Sequence, residues 1–163
     1  MRRRIFGKIY HLVIYFAAPC HAHHRVVKPP SPPPLSKSDF SALSEFRYQM
    51  RRFEHFSESA AQAEGLTPLQ YLVLLHVKGF PGRDWATVGE LAERLQARQH
   101  GVVALVSRCE AMGLVARRPN ASDRRKVEVH LLPPGAAILT RLAAMHRAEL
   151  RALHGVFTIP NLP

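Results

Sequence analysis

Between Lys126 and Leu131 the residues Lys-Val-Glu-Val-His-Leu alternate polar and apolar without a break, so Val127, Val129 and Leu131 share one face. A period of two marks a strand with one buried side. Leu114-Val115-Ala116-Arg117 is a second short strand, and Arg118-Pro119-Asn120-Ala121-Ser122-Asp123-Arg124-Arg125 between them is a polar turn of hairpin type. Two short helical patterns lie directly upstream. Thr87-Val88-Gly89-Glu90 makes a capping box, in which the Thr87 hydroxyl and the Glu90 carboxylate satisfy free amides at a helix start. Val88, Leu91, Ala92 and Leu95 give that helix an apolar stripe. After a turn through Gln96 and Ala97, another helix runs from about Gln99 to Met112, with Gly113 as its stop. Two helices joined by a tight turn and followed by a hairpin leave few architectures open; the reading is a winged helix-turn-helix.

The flanks are helical. From Asp39 to Glu64 the residues Phe40, Leu43, Phe46, Met50, Phe53, Phe56, Ala60 and Ala63 recur at steps of three or four, and Gly65 follows as a stop. This amphipathic helix is longer than one small domain needs for its own core, which points to a partner helix. Thr67-Pro68 is an N-cap followed by proline at the first helical position, and Leu69 to Lys78 is nearly all apolar, as in a buried central helix. Phe80 to Asp84 is a turn or loop leading to Trp85-Ala86. Pro133-Pro134-Gly135 breaks the last strand, and Ala136 to Leu153 is a final helix with Ile138, Leu142, Met145 and Leu153 on one side.

Charge is informative only once it is placed along the chain. The 163 residues carry a formal +11. Residues 1–37 supply +7 of it, with seven Lys or Arg and no acid, and the segment from Arg98 to Lys126 supplies +5; the rest sums to −1. Arg2, Arg3 and Arg4 followed by the apolar stretch Ile5 to Ala18 resemble the charged and hydrophobic regions of a signal peptide, but Lys8 and His11 interrupt the apolar stretch and Pro19 occupies a position where a small residue belongs. That stretch is also shorter than the roughly 20 apolar residues of a membrane span. Cys20-His21-Ala22-His23-His24 adjoins the proline run at 29–34 and cannot form a packed metal site, so the segment reads as a basic, Pro/His-rich disordered leader. Two cysteines, Cys20 and Cys109, are too few for a disulfide-stapled fold and point to a reducing compartment. No nucleophile with a base, metal-ligand cluster or glycine-rich phosphate loop is present, so neither an enzyme nor a cofactor is expected.

At 100° per residue, Val102, Leu105, Val106, Cys109 and Met112 cluster on one face of the second short helix. His100, Ala104 and Ser107 point the opposite way, with Val103 and Arg108 on the flanks. A recognition helix needs such a small or polar outer face to enter the major groove, where Gln99, His100 and Ser107 would meet base edges. An ordinary amphipathic surface helix shows the same pattern, and the hairpin that follows separates the two readings. Arg at its tip suits the narrow minor groove while neighbouring guanidinium groups hold phosphates. The expected DNA contacts are Arg98, Gln99, His100, Val103, Ala104, Ser107 and Arg108 on the helix, and Arg118, Arg124, Arg125 and Lys126 on the wing.

Gly65-Leu66-Thr67-Pro68, Thr87-Val88-Gly89-Glu90-Leu91-Ala92, Cys109-Glu110-Ala111-Met112-Gly113-Leu114-Val115 and Asp123-Arg124-Arg125, followed by Val127, Val129, Leu131 and Gly135, occur in this order. Together they resemble the MarR family of bacterial transcription regulators, over roughly Phe40 to Leu153. The resemblance implies a homodimer whose first and last helices interlock and whose two winged lobes bind a palindromic operator on double-stranded DNA. It implies Arg125 as the wing-tip minor-groove residue and Asp123 as the carboxylate that orients a neighbouring Arg. It also implies a small aromatic effector between the dimerisation and DNA-binding regions, for which Arg51, His55, Tyr71 and His76 are the polar candidates, although packing at helix junctions explains them equally well. Two departures stand out. Cys109 sits on the core face where relatives usually carry Leu, which disfavours thiol sensing, and residues 155–163 end with prolines where relatives usually continue into another dimerisation helix.

The sequence thus predicts a mainly α fold with a small β-wing and flanking dimerisation helices. The leader is 1–37, the N-terminal dimerisation helix 38–66, the winged helix-turn-helix 67–132, and the C-terminal helix and tail 133–163. The expected protein is a cytoplasmic, nucleoid-associated regulator, more in the manner of a repressor. The alternatives are a winged-helix protein-interaction module tethered at a membrane by its tail, and a redox sensor using Cys109.

Overall fold

The computed structural model describes residues 34–120, 123 and 126–154. Its elements are α1 (Lys37–Ala63), α2 (Pro68–Lys78), β1 (Trp85–Thr87), α3 (Val88–Arg94), α4 (Gln99–Ala111), β2 (Val115–Pro119), β3 (Val127–Leu131) and α5 (Pro133–Ala152). The leader up to residue 33 and the tail from residue 155 lie outside the described residues, as do Arg124 and Arg125.

Three helices start on reciprocal caps. Ser36 and Asp39 exchange bonds at α1, Thr67 and Gln70 at α2, and Thr87 and Glu90 at α3. In each, the cap hydroxyl accepts from the third helical amide while the third side chain accepts from the cap amide, so two otherwise unsatisfied donors are paired. Pro68 at the start of α2 and Pro133 and Pro134 at the start of α5 sit where no intrahelical N–H is needed. α5 therefore begins three residues earlier than the expected Ala136, because a double proline that ends a strand is also compatible with the first helical turn.

The sheet is antiparallel in the order β1-β3-β2. β2 and β3 form the expected hairpin, with Val115 opposite Leu131 and Pro119 opposite Val127. β1 is an addition to the sequence reading, which ran a loop into Trp85-Ala86. Its three residues are too short to show a period, and they become a strand by pairing with β3, Ala86 opposite Val129. The core is shared by α2, α3, α4, α5 and the sheet: Val73, Leu74, Val77, Ala86, Leu91, Val106, Cys109, Val115, Val129 and Leu142 are fully enclosed. Of the alternating strand, Val129 is buried while Val127, toward the wing, is exposed.

Two methionines depart from the expected core faces. Met112 is exposed at the C-cap of α4, where its sulfur accepts from Gln70 Nε2 at 3.2 Å, and Met145 is exposed on α5. The inner stripe of α5 is Leu139, Leu142 and His146, with Ile138 packed beside it. Gly135 fixes how closely α5 meets the hairpin, because a Cβ there would collide with the backbone carbonyl of Leu114.

Candidate nucleic-acid interface

α4 has a sharply divided surface. Val102, Leu105, Val106 and Cys109 are buried, whereas Gln99, His100, Val103, Ala104, Ser107 and Arg108, with Arg98 at the N-cap, are exposed. The turn before it depends on Gln96, which adopts φ 50°, a left-handed conformation unusual outside glycine. Its backbone N–H and its side-chain amide both donate to the Glu93 carbonyl, at 3.1 and 2.7 Å, and Ala97 N–H donates to Ala92 O at 3.0 Å. Those bonds hold α4 at its angle to α3. Arg98 makes no side-chain cap bond at the start of α4; uncapped amides at a helix start carry partial positive charge and favour a nearby phosphate.

A second group anchors α3 to the sheet. The Arg83 guanidinium lies between the Phe80 and Trp85 rings, 4.2 and 3.8 Å from their centroids, pairs with the Glu90 carboxylate and donates through Nε to Trp85 O at 3.0 Å. Burial pushes the Glu90 carboxyl up, but the Thr87 amide, the Arg83 guanidinium and the Thr87 hydroxyl together hold it below the usual carboxylate range. Nothing in the residue types around Arg83 announced this cluster, since it needs β1 to bring Trp85 alongside.

At the wing, Arg118 and Lys126 are exposed on β2 and just before β3. The turn is closed by Asn120: its N–H donates to Lys126 O at 3.0 Å, its Oδ1 accepts from Asp123 N–H at 2.8 Å, and its Nδ2 donates to Glu128 Oε1 at 2.7 Å. Asp123 O accepts from Lys126 N–H at 2.9 Å. The two remaining wing candidates, Arg124 and Arg125, are outside the described residues. Ser107 is not open to solvent chemistry in the way its position implies, because its hydroxyl is engaged by Arg117 of β2 and by the Val103 carbonyl, each at 2.8 to 3.0 Å. Burial pushes the Cys109 thiol up to about 11, so at neutral pH it is a protonated, enclosed hydrophobe.

A separate cavity of about 710 Å³ opens between α1, α2 and α5, lined by Phe53, Tyr71, Leu75, His146 and Leu150 among others. Tyr71 is the one residue of the four effector candidates on its wall. Arg51 is exposed and pairs along its own helix with Glu54 at 3.4 Å, and His55 is exposed on the outer side of α1. His76 is half-buried away from the cavity, and burial and then the Arg94 charge hold it toward its neutral form. His146 supplies the polar group in their place. It stacks on Tyr71 at 4.7 Å and meets Phe53 and Phe56 edge-on. Its Nδ1 lies 2.7 Å from Leu142 O and its Nε2 2.8 Å from Ser57 Oγ. A carbonyl only accepts, so Nδ1 carries a proton, and in the neutral ring Nε2 accepts from Ser57. The step from Leu139 to Leu142 to His146 is the signal that would have placed it inward.

Among the described residues, no group of three or more His, Cys, Asp or Glu is placed to hold a metal, and no helix is long and apolar enough to cross a membrane.

Residues 64–126 match the model of the MarR family. The chain is 32% identical over 96 residues to the transcriptional activatory protein BadR of Rhodopseudomonas palustris, covering 59% of this chain and 53% of that protein. It is 32% identical over 74 residues to the HTH-type transcriptional repressor MdtR of Bacillus subtilis, covering 45% and 46%. The chain thus spans about half the length of the curated relatives it matches. The fold is similar to that of AbsC, a MarR family transcriptional regulator from Streptomyces coelicolor, with a TM-score of 0.65 and 25% identity over 77% of this chain and 84% of AbsC. The order of elements, the exposed α4 beside a basic hairpin, and these likenesses agree: through residues 64–126 the chain is similar to the MarR family.

Proposed function

We propose that this protein is a transcription regulator that binds a palindromic operator as a homodimer, with α4 in the major groove and the wing against the minor groove and flanking phosphates. The observation that carries the reading is the exposed face of α4, which carries Gln99, His100, Val103 and Ala104 between Arg98 and Arg108 and is bonded through Glu110 and Arg117 to the hairpin that bears the exposed Arg118 and Lys126. Small side chains let the helix backbone approach base edges, and the flanking cations supply the sequence-independent attraction to phosphate. Arg125 is assigned the wing tip and Asp123 the carboxylate that orients a neighbouring Arg.

The dimer reading is supported by α1 and α5. Phe40 and Tyr48 on α1, and Met145 and Leu150 on α5, are between 42% and 57% exposed, an apolar surface that a second copy would cover. The cavity against Tyr71 and His146 supports an effector reading: a small aromatic ligand there would touch α2 of the DNA-binding lobe and α1 and α5 of the helical pair at once, and so would set the angle between them. In this reading the protein is a repressor released by that ligand; the relatives carry both repressor and activator in their names, and a promoter-fusion reporter in the presence and absence of the protein decides the sign.

Selection of bound duplexes from a random pool tests the whole reading. It is expected to return an inverted repeat with half-site centres about one helical turn, roughly 34 Å, apart. A pool that gains no consensus would refute operator recognition.

A further inference from the structure

Of the seven basic residues between Arg98 and Lys126, Arg117 differs from the others in how its charge is used. Its Nη1 donates to Glu110 Oε2 at 2.7 Å, and its own backbone N–H donates to Glu110 Oε1 at 3.0 Å, so one carboxylate grips both the main chain and the side chain of one residue. Its Nη2 donates to Val103 O and to Ser107 Oγ, both at 2.8 Å. Glu110, Ser107 and Val103 lie at successive turns of α4, so the guanidinium is laid lengthwise along the recognition helix from β2. The ion pair is partly shielded, with the two side chains 26% and 39% exposed.

Two consequences follow from this geometry. A guanidinium neutralised by a carboxylate and spread over three acceptors on one helix has little left for a phosphate, and it ties the wing strand to α4 at fixed spacing. Ser107 has one hydroxyl proton, and that proton is given to Val103 O at 3.0 Å while the oxygen accepts from Arg117. A serine so engaged has no donor to offer a base.

Building on the DNA-binding reading above, we propose that Arg117 is a positioning residue: with Glu110 it clamps the recognition helix to the wing, makes no phosphate contact, and withdraws the Ser107 hydroxyl from base readout. Discrimination between sequences then falls to Gln99, His100, Val103 and Ala104.

The test uses the full-length protein, the duplex recovered by selection, a random duplex of equal length, and a salt titration with each. Neutralising one phosphate contact changes the log–log salt slope by about 0.9. Arg117→Gln is expected to leave that slope and the random-duplex affinity unchanged while weakening the selected duplex about tenfold, the size of one good base-edge interaction, because the helix no longer sits squarely on the bases. Glu110→Gln is expected to act in the opposite sense on charge: it frees Arg117 to reach phosphate, raises the random-duplex affinity and steepens the slope by about 0.9 per chain. A clamp that served folding alone would move neither slope nor random-duplex affinity in that direction. Arg117→Gln lowering both affinities equally, with a shallower slope, would overturn the proposal by making Arg117 a phosphate contact. Should Arg117→Gln fail to fold, Glu110→Gln decides: an unchanged or shallower slope overturns the clamp. A wild-type protein that binds neither duplex would refute the DNA-binding reading itself, a distinct result seen before any variant is made, and the clamp would fall with it.

Discussion

The DNA-binding lobe and the pair of flanking helices handle their apolar residues in opposite ways. Within residues 67–132, the inward side chains Val73, Leu74, Leu91, Val106, Val115 and Val129 are wholly enclosed, and what remains outside is mostly polar or basic. Along α1 the stripe of Leu43, Phe46, Met50, Phe53 and Phe56 is only half-buried, with Phe40 and Tyr48 exposed, and α5 leaves Met145 and Leu150 in solvent beside an open cavity. The lobe is closed, with Leu139 and Leu142 of α5 completing its core, whereas the outer faces of α1 and α5 keep apolar side chains exposed. A folded element with an uncovered apolar side is the form an interface takes before its partner arrives, which is why the homodimer proposal rests on α1 and α5 and the DNA proposal on α4 and the wing.

This contrast can be broken by substitution. Leu74→Ala empties the centre of the lobe and is expected to cost about 2–5 kcal/mol, read as a lower urea midpoint. A loss under about 1 kcal/mol would mean that the lobe is not closed in the way described. Gly135→Ala acts at the seam between the two regions, where the new methyl meets the Leu114 carbonyl; about 1–3 kcal/mol is expected in thermal unfolding. Thr87→Ala removes the α3 cap for about 1 kcal/mol. On the open side, Leu150→Ser is expected to change monomer stability by only about 0.5 kcal/mol. Its effect should appear instead in sedimentation, as a weaker dimer. If Leu150→Ser unfolds the chain and leaves association untouched, the distinction between the two regions is lost.

The smallest expected effect is on pH. The Glu90 carboxyl titrates below its ordinary value of 4.5 in the folded protein, so its cap and its pair with Arg83 contribute fully above that pH and are lost as the pH falls through the folded value. Glu90→Gln should therefore flatten the acid limb of the stability curve while leaving its slope at neutral pH unchanged.

Local patterns carried most of the fold. Thr67-Pro68, the Thr87 to Glu90 box and the alternation from Lys126 to Leu131 each fix a backbone state through neighbours a few residues away, and all three elements stand where those patterns place them. The errors sit where distant residues decide. β1 exists because β3 pairs with it across some forty residues of chain; Met112 and Met145 lie at helix positions whose rotational phase is set by the neighbouring element. The candidate site divides in the same way. The exposed face of α4 was legible from helical period, but Arg117 lying along α4, Arg83 between two rings and His146 within bonding distance of Ser57 all depend on packing between separate elements. Helical period placed Ser107 on the outer face of α4, and the family resemblance offered Arg51, His55, Tyr71 and His76 as polar candidates for a ligand. The structure engages Ser107 within the protein and sets Arg51, His55 and His76 away from the cavity.

The central claim is that the outer face of α4 enters the major groove, and Ala104→Glu tests it most directly by setting a carboxylate on that face at an exposed position of little structural consequence. Fluorescence anisotropy with the selected duplex, alongside a thermal melt, gives the answer. The account predicts an unchanged melt and loss of duplex binding, because a buried carboxylate faces phosphates and base acceptors. A variant that melts as the wild type does and binds the duplex with wild-type affinity would contradict it.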